Sequence, residues 1–311
     1  MPHVEFGCLP TIIGSMPHTD PSEACSLVTR YLKDIPAWPQ LPNRSFLENM
    51  NVQYSEGFPG VVIEENSIYV DRSQDLDKPL EQLYADYLSN DCNNYPISAE
   101  YAAGLHAFLG LTNLSPLAVK GQITGPVTWG LTVTDKDKRA IIYDDVLGDA
   151  VPKLLRLKAR WQENQLCRIS KNTIIFVDEP YMSAFGSVGV QLSRERIIGL
   201  LNEVFDGISG LKGVHCCGNT DWPVLLATST DILSFDAYNY AQSLALYPSE
   251  VKKFIERKGT IAWGIVPNEA ETLAKETVAS LKDRLGEAIA PFTRNGISFK
   301  QLIEQGLLTP N

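Results

Sequence analysis

The chain has 311 residues, 44% of them hydrophobic and 21% charged, with 22 Gly and 19 Pro. This ordinary globular composition excludes disordered, collagenous and low-complexity classes. A formal charge of −10 argues against binding a phosphate backbone, which needs a basic face, so no nucleic-acid partner is expected. There is no run of apolar residues long enough to span a bilayer and no basic-then-apolar leader. No membrane partner is expected, and the cytoplasm is the expected location. Six cysteines at 8, 25, 92, 167, 216 and 217 are too sparse for a disulfide framework and are expected to be reduced thiols.

In chain order, short apolar, β-branched runs predict strands at residues 11–15, 60–63, 117–123, 173–178, 213–217, 231–235 and 260–265, with an eighth at 307–309. Apolar residues at three- and four-residue spacing predict helices over 144–169, 193–208, 249–257 and 269–288. Residues 64–77 suggest a hairpin or ordered excursion, and the prolines of 36–42 an extended loop. Strands that are apolar throughout belong to a parallel sheet covered on both faces. The alternation predicts an α/β fold, a single (β/α)8 TIM barrel forming one domain over 1–311. In such barrels the site lies at the C-terminal ends of the strands.

Six of the strand ends carry polar residues: Gly14-Ser15, then Lys120 to Pro126, Asp178-Glu179, His215-Cys216-Cys217, Asp236 and Asn268. His215 and Cys217 are two apart and share one face of a strand, while Cys216 points away. Imidazole plus thiolate suits Zn²⁺. By itself the pair fits two buried structural side chains as well, and Asp236 on the next strand adds an oxygen donor.

The strings TIIGSMPHTD, KGQITGPVTWG, IIFVDEP and VHCCGNTDW, in that order across the chain, resemble the catalytic half of cobalamin-independent methionine synthase. That family falls in the superfamily that also holds uroporphyrinogen decarboxylase and corrinoid-dependent coenzyme M methyltransferases. The resemblance implies a zinc-dependent methyltransferase that makes methionine from homocysteine. It places zinc ligands at His215, Cys217 and Asp236, where the family usually has Glu. It places the grip on the amino-acid carboxylate at Ile13, Gly14 and Ser15, and the amino-group partner at Asp178, with Glu179 beside it. Asp178, His215 and Cys217 are the implied catalytic residues.

Three departures shape the expectation further. The family's last zinc ligand, a Cys after the eighth strand, would fall just beyond Asn311. Synthases that take methyl from a folate carry an additional N-terminal half. Asn268 and Glu269 stand where the family has a His that assists proton movement. The last two departures point to methylcobalamin, or a methylated corrinoid protein, as methyl donor and partner. The alternatives are a corrinoid methyltransferase for another thiol such as coenzyme M, and a corrinoid- or thiol-binding module without turnover.

Overall fold

The computed structural model describes residues 5–311. Ten strands are present among the described residues: β1 (Leu9–Pro10), β2 (Val61–Glu64), β3 (Ser67–Val70), β4 (Val119–Thr124), β5 (Thr134–Asp135), β6 (Thr173–Asp178), β7 (Leu211–Cys216), β8 (Ile232–Phe235), β9 (Thr260–Val266) and β10 (Gly306–Pro310). Seven form one parallel sheet in the order β1-β10-β9-β8-β7-β6-β4. Crossover helices cover it, including Leu147–Leu166, Arg194–Phe205, Pro248–Glu256 and Val278–Arg294. The last begins later than its apolar spacing predicts. Thr277 caps it by accepting from the Ser280 N–H, and the Ser280 hydroxyl returns the bond, so a separate short helix, Ala270–Leu273, precedes it.

Two apolar layers follow from the period of two along each strand. Val119, Ile123, Ile175, Val177, Val214, Cys216, Leu233, Phe235 and Trp263 pack outward into the large core beneath the helices. The intervening residues Ala118, Ile174, Phe176, Ile232, Ala262 and Leu307 join Phe6 and Ile35 in a smaller inner cluster. Further along the same inner positions the chemistry changes. Lys120, Gln122, Thr124, Asp178, His215, Ser234 and Thr309 are all buried there. The inner face is thus apolar at one end and polar at the end where strands terminate.

The expected second barrel strand at 60–63 is not in this sheet. It pairs as β2 with β3 in an antiparallel hairpin, extended by a parallel pairing of β3 with β5, in a separate three-stranded sheet. Between the two edges of the large sheet runs the proline-rich segment instead. Residues 35–41 are buried throughout, and parallel bridges join Ala37 to Lys120 and Ser15 to Gln40. The Lys120 N–H donates to Pro36 O at 2.9 Å and the Gln40 N–H to Gly14 O at 2.9 Å. Pro36 and Pro39 lack N–H groups, so the segment cannot sustain a continuous ladder and is held by single bridges. The first strand is likewise displaced, with its ladder at Leu9–Pro10 and only a bridge at Ser15. Among the described residues no helix is long and apolar enough to cross a membrane.

Candidate functional site

The polar end of the inner face gathers most of the residues singled out by the sequence. Asp178 and His215 are register partners at the ends of β6 and β7, and His215 in turn partners Ser234 of β8. The Ser234 hydroxyl lies 3.0 Å from His215 Nδ1. Burial, with the charge of Lys120 added, pushes the imidazole down to about 3, so it is neutral at physiological pH. Asp178 is 7% exposed and its Oδ1 is buried with no hydrogen-bond partner. Burial raises its carboxyl above the usual range, against the attraction of Lys120.

Glu179 behaves differently from its neighbour. It is fully buried, and its carboxylate accepts from the N–H groups of Val127 (2.9 Å) and Thr128 (2.7 Å) and from the Thr128 hydroxyl (2.6 Å). It therefore caps the helix Pro126–Thr132, whose first N–H groups have no helical partner, rather than facing a substrate. Gly125 is required by this contact, since a Cβ there would lie 2.2 Å from the Glu179 carboxyl carbon.

Beyond β1, the Ile13 carbonyl accepts from Lys120 Nζ at 2.5 Å. Gly14 is buried and Ser15 exposed at the mouth. A Cβ on Gly14 would lie 2.6 Å from Gln40 Oε1 and 2.7 Å from Gln122 Cδ, and the residue has φ +154, so only glycine allows these side chains to close beneath it.

The expected metal donors fit less well. Cys217 follows the end of β7, exposed, with burial of its sulfur raising the thiol. Cys216 faces the outer core as its alternation predicts, its thiol pushed up to about 12 by burial. Asp236 is the N-cap of the helix Ala237–Leu244: Oδ1 accepts from the Asn239 N–H at 2.9 Å and Oδ2 from Asn239 Nδ2 at 2.6 Å. Among the described residues no three His, Cys, Asp or Glu side chains form a group able to hold a metal ion. Of the three expected ligands, Asp236 is the one whose carboxylate is committed elsewhere, to the two amides of Asn239.

The sequence places Lys120 and Gln122 in the polar string that ends the third strand without giving either a role, although a lysine within a buried strand is itself a signal. Other members of the site it does not mark. Tyr54 donates its hydroxyl to Gln122 O at 2.7 Å, and Gln40 Nε2 donates to Gln53 Oε1 at 2.6 Å. These come from the segment connecting to the hairpin, where no periodicity points to a site.

No protein-family model matches the chain, and no curated protein matches it. Solved structures do. A B12-independent methionine synthase from Shewanella sp. W3-18-1, in complex with selenomethionine, is 15% identical with a TM-score of 0.57, covering 97% of this chain and 90% of its own. A putative vitamin-B12 independent methionine synthase from Listeria monocytogenes is 14% identical with a TM-score of 0.53, covering 93% of this chain and 79% of its own. At this identity they show a shared fold. Their description agrees with the expectation of a methyltransferase of the methionine synthase type and overturns one part of the reading. Both are B12-independent, so methylcobalamin as donor and a corrinoid protein as partner are withdrawn, and with them the corrinoid-fed coenzyme M alternative. The structure shows why residue 268 misled. The Asn268 N–H donates to Asn311 Oδ1 at 2.9 Å and its side chain to Asn311 O at 3.2 Å, so this residue is spent on the adjacent strand end and does not report on a leaving group.

Proposed function

We propose that this chain methylates the thiol of homocysteine, as a methionine synthase type of enzyme acting without B12, at the polar end of one (β/α)8 barrel domain spanning 1–311. In this reading residues 35–41 take the place of the second strand, bridging β1 to β4. The observation that carries the function is Asp178 Oδ1, a buried carboxylate oxygen with no partner. Such a group is costly unless a cation or donor meets it, and the α-ammonium of an amino acid is the matching group.

With the ammonium at Asp178, the carboxylate falls to Gly14 and the exposed hydroxyl of Ser15. The sulfur is then directed toward His215 and Cys217 on the neighbouring strand. A thiol is a weak nucleophile until its proton is shared or lost. The neutral imidazole of His215, oriented by Ser234 at 3.0 Å, accepts a hydrogen bond from that thiol. As the sulfur lone pair bonds to the methyl carbon, the donor's bond to methyl breaks, its electron pair leaves with the donor nitrogen, and the thiol proton passes by way of the His215 imidazole to that nitrogen. A methylated reduced folate is the donor class to test.

Calorimetric titration with homocysteine, beside methionine formation from homocysteine and methyl-tetrahydrofolate, tests the proposal. One binding site for homocysteine and methionine as product are expected. Binding without product would favour a thiol-binding module, and no binding of homocysteine would refute the reading.

A further inference from the structure

A buried lysine remains for which the scheme above has no use. Lys120 is 0% exposed in the middle of β4. Its ammonium donates to Ile13 O at 2.5 Å and to Gln122 Oε1 at 3.2 Å, and lies 4.2 Å from the centre of the Phe176 ring. None of the ion pairs among the described residues includes it. Its hydrogen-bonded oxygen partners are neutral, the Phe176 face lies against it, and Asp178 is the acid whose attraction opposes the loss of its charge on burial. A lysine buried in this way is expensive, and a simple packing role is better filled by Met or Leu.

The partner it holds is informative. Ile13 O is the carbonyl immediately before Gly14-Ser15, the pair assigned above to the amino-acid carboxylate. The neighbouring carbonyl, Gly14 O, is held by the Gln40 N–H at 2.9 Å, and the backbone of Lys120 itself anchors the segment carrying Gln40 through Pro36 O at 2.9 Å and Trp38 N at 3.3 Å. One residue thus fixes the strand end from below by its side chain and from the side through the bridging segment.

We propose that Lys120 is a positioning residue for amino-acid recognition: by clamping the Ile13 carbonyl it sets the peptide planes of Gly14 and Ser15 that meet the substrate carboxylate. This inference rests on the homocysteine reading. Lys120 does not reach the mouth of the site and takes no part in methyl transfer itself. Its clamp is strongest as an ammonium, because a charged donor to a carbonyl in a dry interior is worth more than a neutral one.

Lys120→Met keeps the length of the side chain and removes the donor. Compared with the wild type, it is expected to raise the KM for homocysteine at least tenfold while the donor KM and kcat move less than threefold. It is also expected to speed amide hydrogen exchange across residues 11–16 at least tenfold, with exchange in the helix Leu147–Leu166 unchanged. Lys120→Gln leaves a shorter, neutral side chain that cannot reach the Ile13 carbonyl as the ammonium does, and is expected to give the same split in KM and the same faster exchange. It keeps the inference testable if Lys120→Met does not fold. Unchanged exchange over 11–16 together with unchanged homocysteine KM in Lys120→Met would overturn it, as would a proportional loss of both KM values and kcat in either variant. If wild-type protein does not bind homocysteine, the reading beneath fails, and the exchange comparison still decides whether Lys120 fixes the strand end.

Discussion

Glu179 offers a quantitative test of the electrostatics beside the site. Its carboxylate is fully buried and raised from 4.5 to about 7, chiefly by desolvation, with the Thr128 hydroxyl and the Val127 and Thr128 N–H groups pulling the other way. In an unfolded chain the carboxyl ionises near 4.5, so between pH 4.5 and 7 the folded protein holds a proton that the unfolded chain has lost. Stability contributed by this group is therefore full below pH 4.5, falls as pH rises through the window and stays low above 7. A displacement of that size corresponds to about 3 kcal/mol in total, of which about 2–3 kcal/mol falls between pH 5 and 8. Glu179→Gln cannot ionise, so it lacks this slope. Its amide nitrogen does face N–H donors, which adds a pH-independent cost of about 1–3 kcal/mol. Urea unfolding followed by tryptophan fluorescence, on both proteins at pH 5 and pH 8, reads the effect, because groups that do not feel Glu179 cancel in the difference, while Asp178, whose carboxyl the charge of its neighbour helps to raise, adds to it in the same sense. The stability of the variant relative to wild type is expected to improve by about 2–3 kcal/mol from pH 5 to pH 8. A change of less than about 1 kcal/mol, or one of opposite sign, would refute the account of Glu179 as an ionisable cap held at a desolvation cost.

Other consequences are equally open to measurement. Asp178→Asn removes the charge proposed to meet the substrate ammonium and is expected to weaken homocysteine binding about 10- to 100-fold, or about 1–3 kcal/mol; an unchanged Kd in calorimetry would remove Asp178 from the site. Gly104→Ala places a Cβ 1.9 Å from Pro39 O, a backbone atom of the bridging segment that cannot step aside. A loss of about 2–4 kcal/mol in chemical unfolding is expected, and wild-type stability would show that residues 35–41 are not packed as described. Asp236→Ala removes the cap of the helix Ala237–Leu244 and is expected to cost about 1 kcal/mol with no change in zinc bound per chain. A fall in bound zinc measured by mass spectrometry would make Asp236 a ligand instead of a cap.

Much of the architecture was legible because buried parallel strands need apolar side chains on both faces, a constraint that acts on each run independently. The runs at 173–178, 213–217, 231–235 and 260–265 fall on β6 to β9 for that reason. The same local rule misplaced 60–63, whose Gly-Val-Val-Ile reads like a barrel strand but pairs within a hairpin. It also passed over 35–41, where prolines disguise a buried segment as a loop. Nothing local distinguishes these cases, since each depends on which sheet edge the segment meets.

At the site the division is similar. That Asp178, His215 and Cys217 lie together at strand ends is a consequence of the period of two and the order of the strands, and so is available from the sequence. What Glu179 does with its oxygens is not: it is consumed by the N–H groups of a helix start 52 and 51 residues away, which only the folded chain brings within 3 Å. Asp236 is spent locally, as the N-cap of the helix that follows it. Lys120 shows the converse. The sequence records a charge in an apolar strand, and only the tertiary structure supplies the Ile13 carbonyl, 107 residues away, that gives the charge something to hold. Side-chain type and strand phase are properties of the local sequence, whereas hydrogen-bond partnership in a buried site is fixed by which distant donors and acceptors the fold leaves unpaired.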